Sequence, residues 1–188
     1  MTTVAAWTLG IPATIAIVGF LATYWSNLTL ARRKDRLERV NEQLKELYGP
    51  LLALISAADS AWTVFRKDYR PDGPFWDLNP EPTDAEGDAW RLWISTVFMP
   101  LNRQMRDLIV TKAHLLDEPT MPRCLLDLCA HVSAYEPILV RWQRNDFLSH
   151  KPALKFPKVE ALRYARSSFT KLKTRQQDLL PHRARAKA

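Results

Sequence analysis

The first thirty-one residues of this chain contain no Asp, Glu, Lys or Arg, and the run Arg32-Arg33-Lys34-Asp35-Arg36 follows directly. A helix rises 1.5 Å per residue, so about twenty apolar residues are needed to cross about 30 Å of hydrocarbon. The segment from Ala5 to Trp25 has that length and carries no charge. The sequence therefore predicts one transmembrane helix with basic residues at its C-terminal end.

The ends of this segment predict its direction in the membrane. Trp7 and Trp25 stand near opposite ends, where aromatic side chains favour the two membrane interfaces. Arg32, Arg33 and Lys34 come directly after the segment, and no Lys or Arg precedes it. By the positive-inside rule we expect the N-terminus outside and the C-terminal domain in the cytoplasm, as in a bacterial inner-membrane protein.

Two other interpretations of the N-terminal segment are open, and the sequence favours neither. A cleaved signal peptide has a basic beginning and a shorter apolar core, whereas residues 1 to 9 carry no Lys or Arg. A buried helix of a soluble protein usually has a polar face, and this segment has only scattered Thr, Ser and Asn. A membrane anchor explains the composition better than either.

The remaining residues, 32 to 188, are enough for one domain with its own core. The whole chain has five glycines, two of them in the predicted span, which is too few for a glycine-rich phosphate-binding loop. Its two cysteines, Cys124 and Cys129, are expected to be thiols in the cytosol, where disulfides are rare. We expect no cofactor.

The residues after the span predict an amphipathic stalk over 32–48 that continues the transmembrane helix. Its apolar positions recur at spacings of three and four, as in helices that associate as coiled coils. These candidate self-association residues are Leu37, Val40, Leu44 and Leu47. Gly49-Pro50 then predicts a kink or a break, because the residue before proline is pushed away from helical geometry.

Beyond the stalk the sequence predicts only helices, since no stretch alternates apolar and polar residues over strand length. Thr83 and Glu86 match a capping box and predict a helix beginning near Asp84, with Pro100 as a kink. We expect an all-α protein with a bundle of about four helices. The expected helices span residues 50–67, 84–116, 121–144 and 157–180, and the expected domains are an anchor over 1–31, the stalk over 32–48, the bundle over 50–180 and a disordered basic tail over 181–188.

One helix face carries residues of the types used in metal or nucleophile chemistry. Cys124, Asp127 and His131 are separated by three and four residues, so they share a side of the helix. A metal site would need ligands from a second helix, and ordinary helix-surface residues explain the spacing better. We therefore predict no catalytic residue and no metal site.

The C-terminal region carries most of the basic charge. From residue 141 to 188 there are thirteen basic and three acidic residues, a net charge of +10. Anionic lipid headgroups would attract such a helix, whereas nucleic acid is not expected because no nucleic-acid-binding motif accompanies the charge. A solvated helix surface is the other explanation. The candidate anionic-surface residues are Lys158, Arg163, Arg166, Lys171, Lys173 and Arg175.

These features predict a single-pass membrane protein whose helical domain acts as a protein-interaction, scaffold or sensory module at the cytoplasmic face. Its partners would be the bilayer, a second copy of the chain, or another protein. The alternative function is binding of anionic lipid or another polyanion through the basic C-terminal helix. A membrane-bound enzyme is the remaining possibility, and it rests only on Cys124, Asp127 and His131.

Overall fold

The computed structural model describes residues 4–71, 75–76 and 81–180, with side chains from residue 19 onward. Within these ranges the protein contains helices and no strand, which confirms the all-α prediction. Six α-helices carry the fold, and two π-helical turns and one 3-10 turn join some of them. The α-helices are α1 (Val4–Gln43), α2 (Gly49–Asp68), α3 (Asp84–Trp93), α4 (Met99–Thr111), α5 (Arg123–Gln143) and α6 (Lys158–Leu179).

The chain does not break at Gly49-Pro50. A π-helical turn, Leu44–Tyr48, connects α1 to α2, and Gly49 keeps helical backbone angles of φ −65° and ψ −57°. A proline ring clashes with the carbonyl four residues earlier in a regular α-helix. A wider turn relieves that clash, so the helical path continues where the sequence predicted a kink or a break.

The same arrangement recurs at the second internal proline. A π-helical turn, Ile94–Phe98, joins α3 to α4, and the backbone amide of Met99 donates to the carbonyl of Ile94. Pro100 then lies in the first turn of α4, where its missing N–H removes little. Residues 84–111 thus follow one helical path with a wide turn at the position predicted to kink.

The chain divides into two compact units, residues 1–41 with 175–188 and residues 42–174. In the first unit, the guanidinium of Arg33 donates to the carbonyls of Leu179 and Leu180, at 2.8 Å each. The side chain of Gln176 donates to Asn41 in the same unit. Arg33 therefore satisfies carbonyls at the end of α6 that would otherwise lack partners.

The second unit holds the hydrophobic core. Helix α2 packs against α4, and α4 packs against α5. An aromatic group runs through the core, centred on the fully buried Phe65, whose ring lies within 5.8 Å of the rings of Phe75, Trp90 and Trp93. Five of the seven tryptophans lie in this core or pack against it: Trp62, Trp76, Trp90, Trp93 and Trp142.

Several local predictions can be compared with the structure. The capping box is confirmed, because the Thr83 hydroxyl accepts from the Glu86 amide and the Glu86 carboxylate accepts from the Thr83 amide. At the start of α6 the side chain of Val159 is exposed, whereas that of Ala161 is buried.

Among the side chains that the structure describes, no helix is long and apolar enough to cross a membrane. Most of the predicted span, residues 5–18 including Trp7, has side chains outside this set. The predicted basic tail, 181–188, also lies outside the described residues.

Candidate functional site

A cavity of about 400 Å³ opens inside the second unit. Its volume falls within the range of small-molecule sites. Helices α2, α3, α4 and α5 and the second π turn each contribute side chains, and the segment between α5 and α6 closes one side. Its aromatic lining residues are Trp62, Phe75, Trp76, Trp90, Phe98, Tyr135 and Phe156.

The segment from residue 144 to 157, which we call the strap, is held by side-chain donors on α3 and α5. The indole N–H of Trp90 and the hydroxyl of Tyr135 both donate to the carbonyl of His150, at 2.9 and 3.2 Å. Trp142 donates to the carbonyl of Ser149 at 2.8 Å. Because loop carbonyls need partners wherever they lie away from water, these donors position the strap as a wall of the cavity.

His131 provides a further contact to the strap. Its Nδ1 lies 2.7 Å from the carbonyl oxygen of Leu154. A carbonyl can only accept, so Nδ1 carries the proton, and the neutral ring leaves Nε2 as an acceptor. Burial lowers the pKa of His131, which favours this neutral form near pH 7.

Asn102 is the second buried polar residue of the lining. Its side chain is 6% exposed and lines the cavity from α4. Its amide forms no hydrogen bond with any residue in the described part of the chain but stays accessible, unlike Trp76 Nε1 and His150 Nδ1, which are buried there without a partner. The cavity therefore presents an unused donor and acceptor at Asn102 and an acceptor at His131.

The charges around the cavity are predominantly positive. Lys151, Lys155 and Lys158 line it, against a single described carboxylate, that of Asp59. Lys158 forms an ion pair with Asp59, so these two charges offset each other. Lys155 is exposed and has no ion pair within the described ranges, which leaves positive charge at the strap.

His150 stacks on Trp76 beside the cavity. The ring centroids lie 4.0 Å apart and the planes differ by 7°. Burial and the charge of Arg91 lower the pKa of His150, so the stacked ring is neutral near pH 7. Trp76 and the strap are thereby joined across the cavity wall.

The Cys124, Asp127 and His131 set is not brought together with other ligands. Within the described residues no three His, Cys, Asp or Glu side chains converge as a metal site would require. Asp127 pairs with Arg123 at 2.8 Å, and burial raises the pKa of both cysteine thiols. Raised pKa values keep thiols protonated and weakly nucleophilic.

The predicted self-association residues have a role inside the chain. Val40, Leu44 and Leu47 are buried, with at most 9% of each side chain exposed, and Leu37 is half-buried. Contacts within one chain thus account for most of this apolar stripe. Its role in self-association stays a prediction, with Leu37 as its most accessible member.

The predicted membrane-anchor and anionic-surface residues are mostly exposed. Trp25, Arg32 and Lys34 are exposed on α1, while Arg33 is engaged with the end of α6. On α6, an open groove has Arg163 and Arg166 at its sides together with four other polar or apolar neighbours. Lys158 and Lys171 also line it but are paired with Asp59 and Asp117, and Lys173 and Arg175 are exposed further along the helix.

Sequence reasoning missed the cavity and the strap. The segment 149–157 looked like a simple connector, and Asn102 had no motif around it. The available signal was the buried face of α5, where His131 falls beside the predicted apolar stripe.

No known protein family, no curated protein and no solved structure matches this chain.

Proposed function

We propose that this protein is a single-pass membrane-anchored helical module, whose domain meets a partner at the cytoplasmic face. The observation that carries the proposal is the exposed apolar surface of α1. Five large apolar side chains on α1 are between 47% and 71% exposed to solvent: Phe20, Leu21, Tyr24, Trp25 and Leu30. Removing such apolar surface from water is favourable by roughly 25 cal/mol per Å². A charge-free helix is suited to burying this surface in lipid.

One further feature supports the anchor as a continuous helix, and a second supports its orientation. The backbone is α-helical from Val4 onward, so the charge-free run and the exposed apolar surface share one helix. Arg32 and Lys34 follow it as exposed basic residues, which suits the anionic cytoplasmic leaflet.

Alkaline carbonate extraction of membranes tests the anchor. The full chain is expected to stay in the membrane pellet, and Phe20→Lys with Leu21→Lys is expected to shift it to the supernatant. The matched control is Val64→Lys with Leu92→Lys, which changes two exposed apolar residues outside the proposed span. Complete release of the unmodified chain by carbonate would overturn the anchor.

Protease access to a C-terminal tag tests the orientation. Cleavage in inverted inner-membrane vesicles, with protection in intact spheroplasts, is the result expected for a cytoplasmic domain. Cleavage in spheroplasts would place the domain on the outer side, and Cys124 and Cys129 would then be examined for a disulfide.

A second candidate function, binding of anionic lipid by α6, is favoured by one observation. Arg163 and Arg166 lie on the same groove as Val159, which is 57% exposed, so two cations flank exposed apolar surface. Neither arginine forms an ion pair within the described part of the chain. A basic residue close to an anionic membrane contributes about 1 kcal/mol.

Vesicle co-sedimentation of residues 36–188 distinguishes this second function. Binding to phosphatidylserine vesicles is expected to fall with salt and with Arg163→Glu and Arg166→Glu, whereas Lys67→Glu with Arg144→Glu makes the same charge change elsewhere. Equal binding to neutral phosphatidylcholine vesicles, or equal loss in both double variants, would remove this candidate.

A further inference from the structure

The cavity in the second unit combines an aromatic lining with polar groups that have no hydrogen-bond partner among the described residues. Asn102 is nine-tenths buried, lines the cavity and has no hydrogen-bond partner among the described residues. Because the amide is accessible and lines the cavity, it is available to bond to an occupant. An entirely apolar occupant would shut water out and leave the amide unpaired, which is unfavourable.

His131 narrows the chemistry of the missing partner. Its Nδ1–H is committed to the carbonyl of Leu154, at 2.7 Å, so only the Nε2 lone pair remains. That lone pair accepts a hydrogen bond and donates none, whereas the Asn102 amide can do both. A hydroxyl group satisfies both residues, because it donates to one and accepts from the other.

The charge balance narrows the chemistry further. Among the described lining residues, Lys158 is paired with the carboxylate of Asp59. Lys155 lies on the strap, is exposed and forms no ion pair within the described residues. Its charge suits an anionic group at the strap side of the cavity.

The walls favour a flat, apolar body. The ring centroid of Trp62 lies 6.0 Å from that of Trp90 and 5.8 Å from that of Phe98. All three side chains line the cavity. Aromatic rings pack well against an aromatic ligand, and 400 Å³ limits the occupant to a small molecule.

We propose that this cavity binds a small aromatic carboxylic acid that carries a hydroxyl group. The ring lies among Trp62, Trp90 and Phe98, the hydroxyl bonds to Asn102 and His131 Nε2, and the carboxylate faces Lys155 on the strap. This site does not depend on the membrane anchor, and it makes the domain a sensor of a metabolite-sized acid.

Isothermal calorimetry with a matched set of naphthalenes tests the proposal on the full chain held in amphipol. The probes are 6-hydroxy-2-naphthoate and 3-hydroxy-2-naphthoate, compared with 2-naphthoate, which lacks the hydroxyl, and 2-naphthol, which lacks the carboxylate. Removing either group is expected to weaken binding of the better hydroxynaphthoate about tenfold, the size of one hydrogen bond or ion contact to a charged group.

Two variants assign each group to its partner. Asn102→Leu is expected to abolish the advantage of the hydroxynaphthoate over 2-naphthoate, since it removes the amide and keeps a similar volume. Lys155→Glu is expected to abolish the advantage over 2-naphthol. Lys67→Glu, the same charge change on an exposed position of α2, is expected to preserve the binding of all four probes.

Unchanged helical circular dichroism shows that each variant is folded. Unchanged binding of 2-naphthoate in Asn102→Leu, and of 2-naphthol in Lys155→Glu, shows that the cavity is intact. Tighter binding of 2-naphthol than of both hydroxynaphthoates would overturn the acid, and the cavity would then be a site for neutral apolar molecules. Binding of every probe without change in Asn102→Leu and Lys155→Glu would place the site elsewhere. Failure of carbonate extraction, in contrast, would bear on the anchor alone.

Discussion

At Gly49, the methyl group of an alanine side chain would clash with the backbone. A Cβ built at this position lies 2.6 Å from the carbonyl oxygen of Leu44, the same oxygen that accepts from the Gly49 amide. Side-chain atoms do not approach a backbone oxygen so closely without movement. The wide turn therefore depends on glycine for space, although its backbone angles are ordinary.

Gly49→Ala is expected to lower the free energy of unfolding by about 1 to 3 kcal/mol, the usual cost of overpacking. Gly87→Ala is the control, because its Cβ would meet only the flexible side chain of Arg91, at 3.4 Å. Alanine is favoured over glycine in a helix by up to about 1 kcal/mol, so Gly87→Ala is expected to be neutral or stabilising. Chemical denaturation of both variants measures the difference, and equal midpoints would contradict the role of Gly49.

Glu86 makes part of the stability depend on pH. The guanidinium of Arg70 bonds to both of its carboxylate oxygens at 2.9 Å, and with Thr83 it lowers the pKa from 4.5 to about 2. A carboxyl whose pKa is lower in the folded state binds fewer protons there than when unfolded. Its contribution is therefore complete above pH 4.5 and is lost as the pH falls towards 2.

We expect Glu86→Gln to lose this part of the pH dependence. Between pH 5 and pH 2, the free energy of unfolding of the unmodified chain should fall by more than that of the variant. Thermal unfolding at each pH measures this difference. Asp84→Asn, a nearby exposed carboxyl in the same helix turn, serves as the control. Parallel pH curves for the unmodified chain and Glu86→Gln would show that the pair with Arg70 contributes nothing.

For single residues, the sequence was informative where a motif depends only on neighbours in the chain. The capping box at Thr83 and Glu86 depends on residues three apart, so spacing alone identified it. Asn102 and His131 could not be assigned to a site, because their importance comes from a cavity formed by residues from separate helices.

Among the elements, the strap is the one whose position depends most on side chains. Its carbonyls at Ser149, His150 and Leu154 accept from Trp142, from Trp90 and Tyr135, and from His131. Burial raises the pKa of Tyr135 well above its usual range, so the hydroxyl remains a donor throughout the accessible pH range.

Tyr135→Phe removes one of these donors and leaves the ring. We expect a loss of about 0.5 to 1.5 kcal/mol in stability, the net value of one hydrogen bond, and faster amide exchange in the strap than in α5. Hydrogen exchange read by mass spectrometry measures both regions. Tyr69→Phe, whose hydroxyl has no hydrogen bond within the described residues, is expected to leave exchange unchanged. Equal protection in the two variants would show that Trp90 alone holds His150.

The helices themselves were predictable from the periodic apolar residues, and the expected ranges agree with α2, α5 and α6 to within a few residues. The π turns were not. Proline before a helix is equally consistent with a break, a kink or a wide turn, and the choice depends on how the flanking helices pack. The strap was missed for a related reason, since its partners lie on helices distant in sequence.

For the molecule as a whole, the apolar stripe of the stalk predicts that copies of the chain associate. Leu44 is 9% exposed, so Leu44→Glu places a charge where water is largely excluded and should cost about 3 kcal/mol or more. Leu37 is half-buried and can accept a charge at a smaller cost. The two positions therefore separate association from folding.

If the stalk associates, Leu37→Glu is expected to reduce the mass of the particle in detergent while the unfolding midpoint stays nearly constant. Leu44→Glu is expected to lower the midpoint in any case. Light scattering with chromatography measures the mass, and denaturation measures the midpoint. A monomeric mass for the unmodified chain, or an unchanged mass in Leu37→Glu, would contradict self-association through this stripe.

The two π turns also set where the chain tolerates a change in its length. Each turn holds one residue more than a regular α-helix of the same span, so deleting one residue there converts it to α-helix and leaves both flanks facing the same way. A deletion elsewhere in α2 or α4 would rotate everything downstream by about 100° and turn the apolar stripe out of the core. Related chains that differ in length within these helices are therefore expected to differ at residues 44–48 and 94–98.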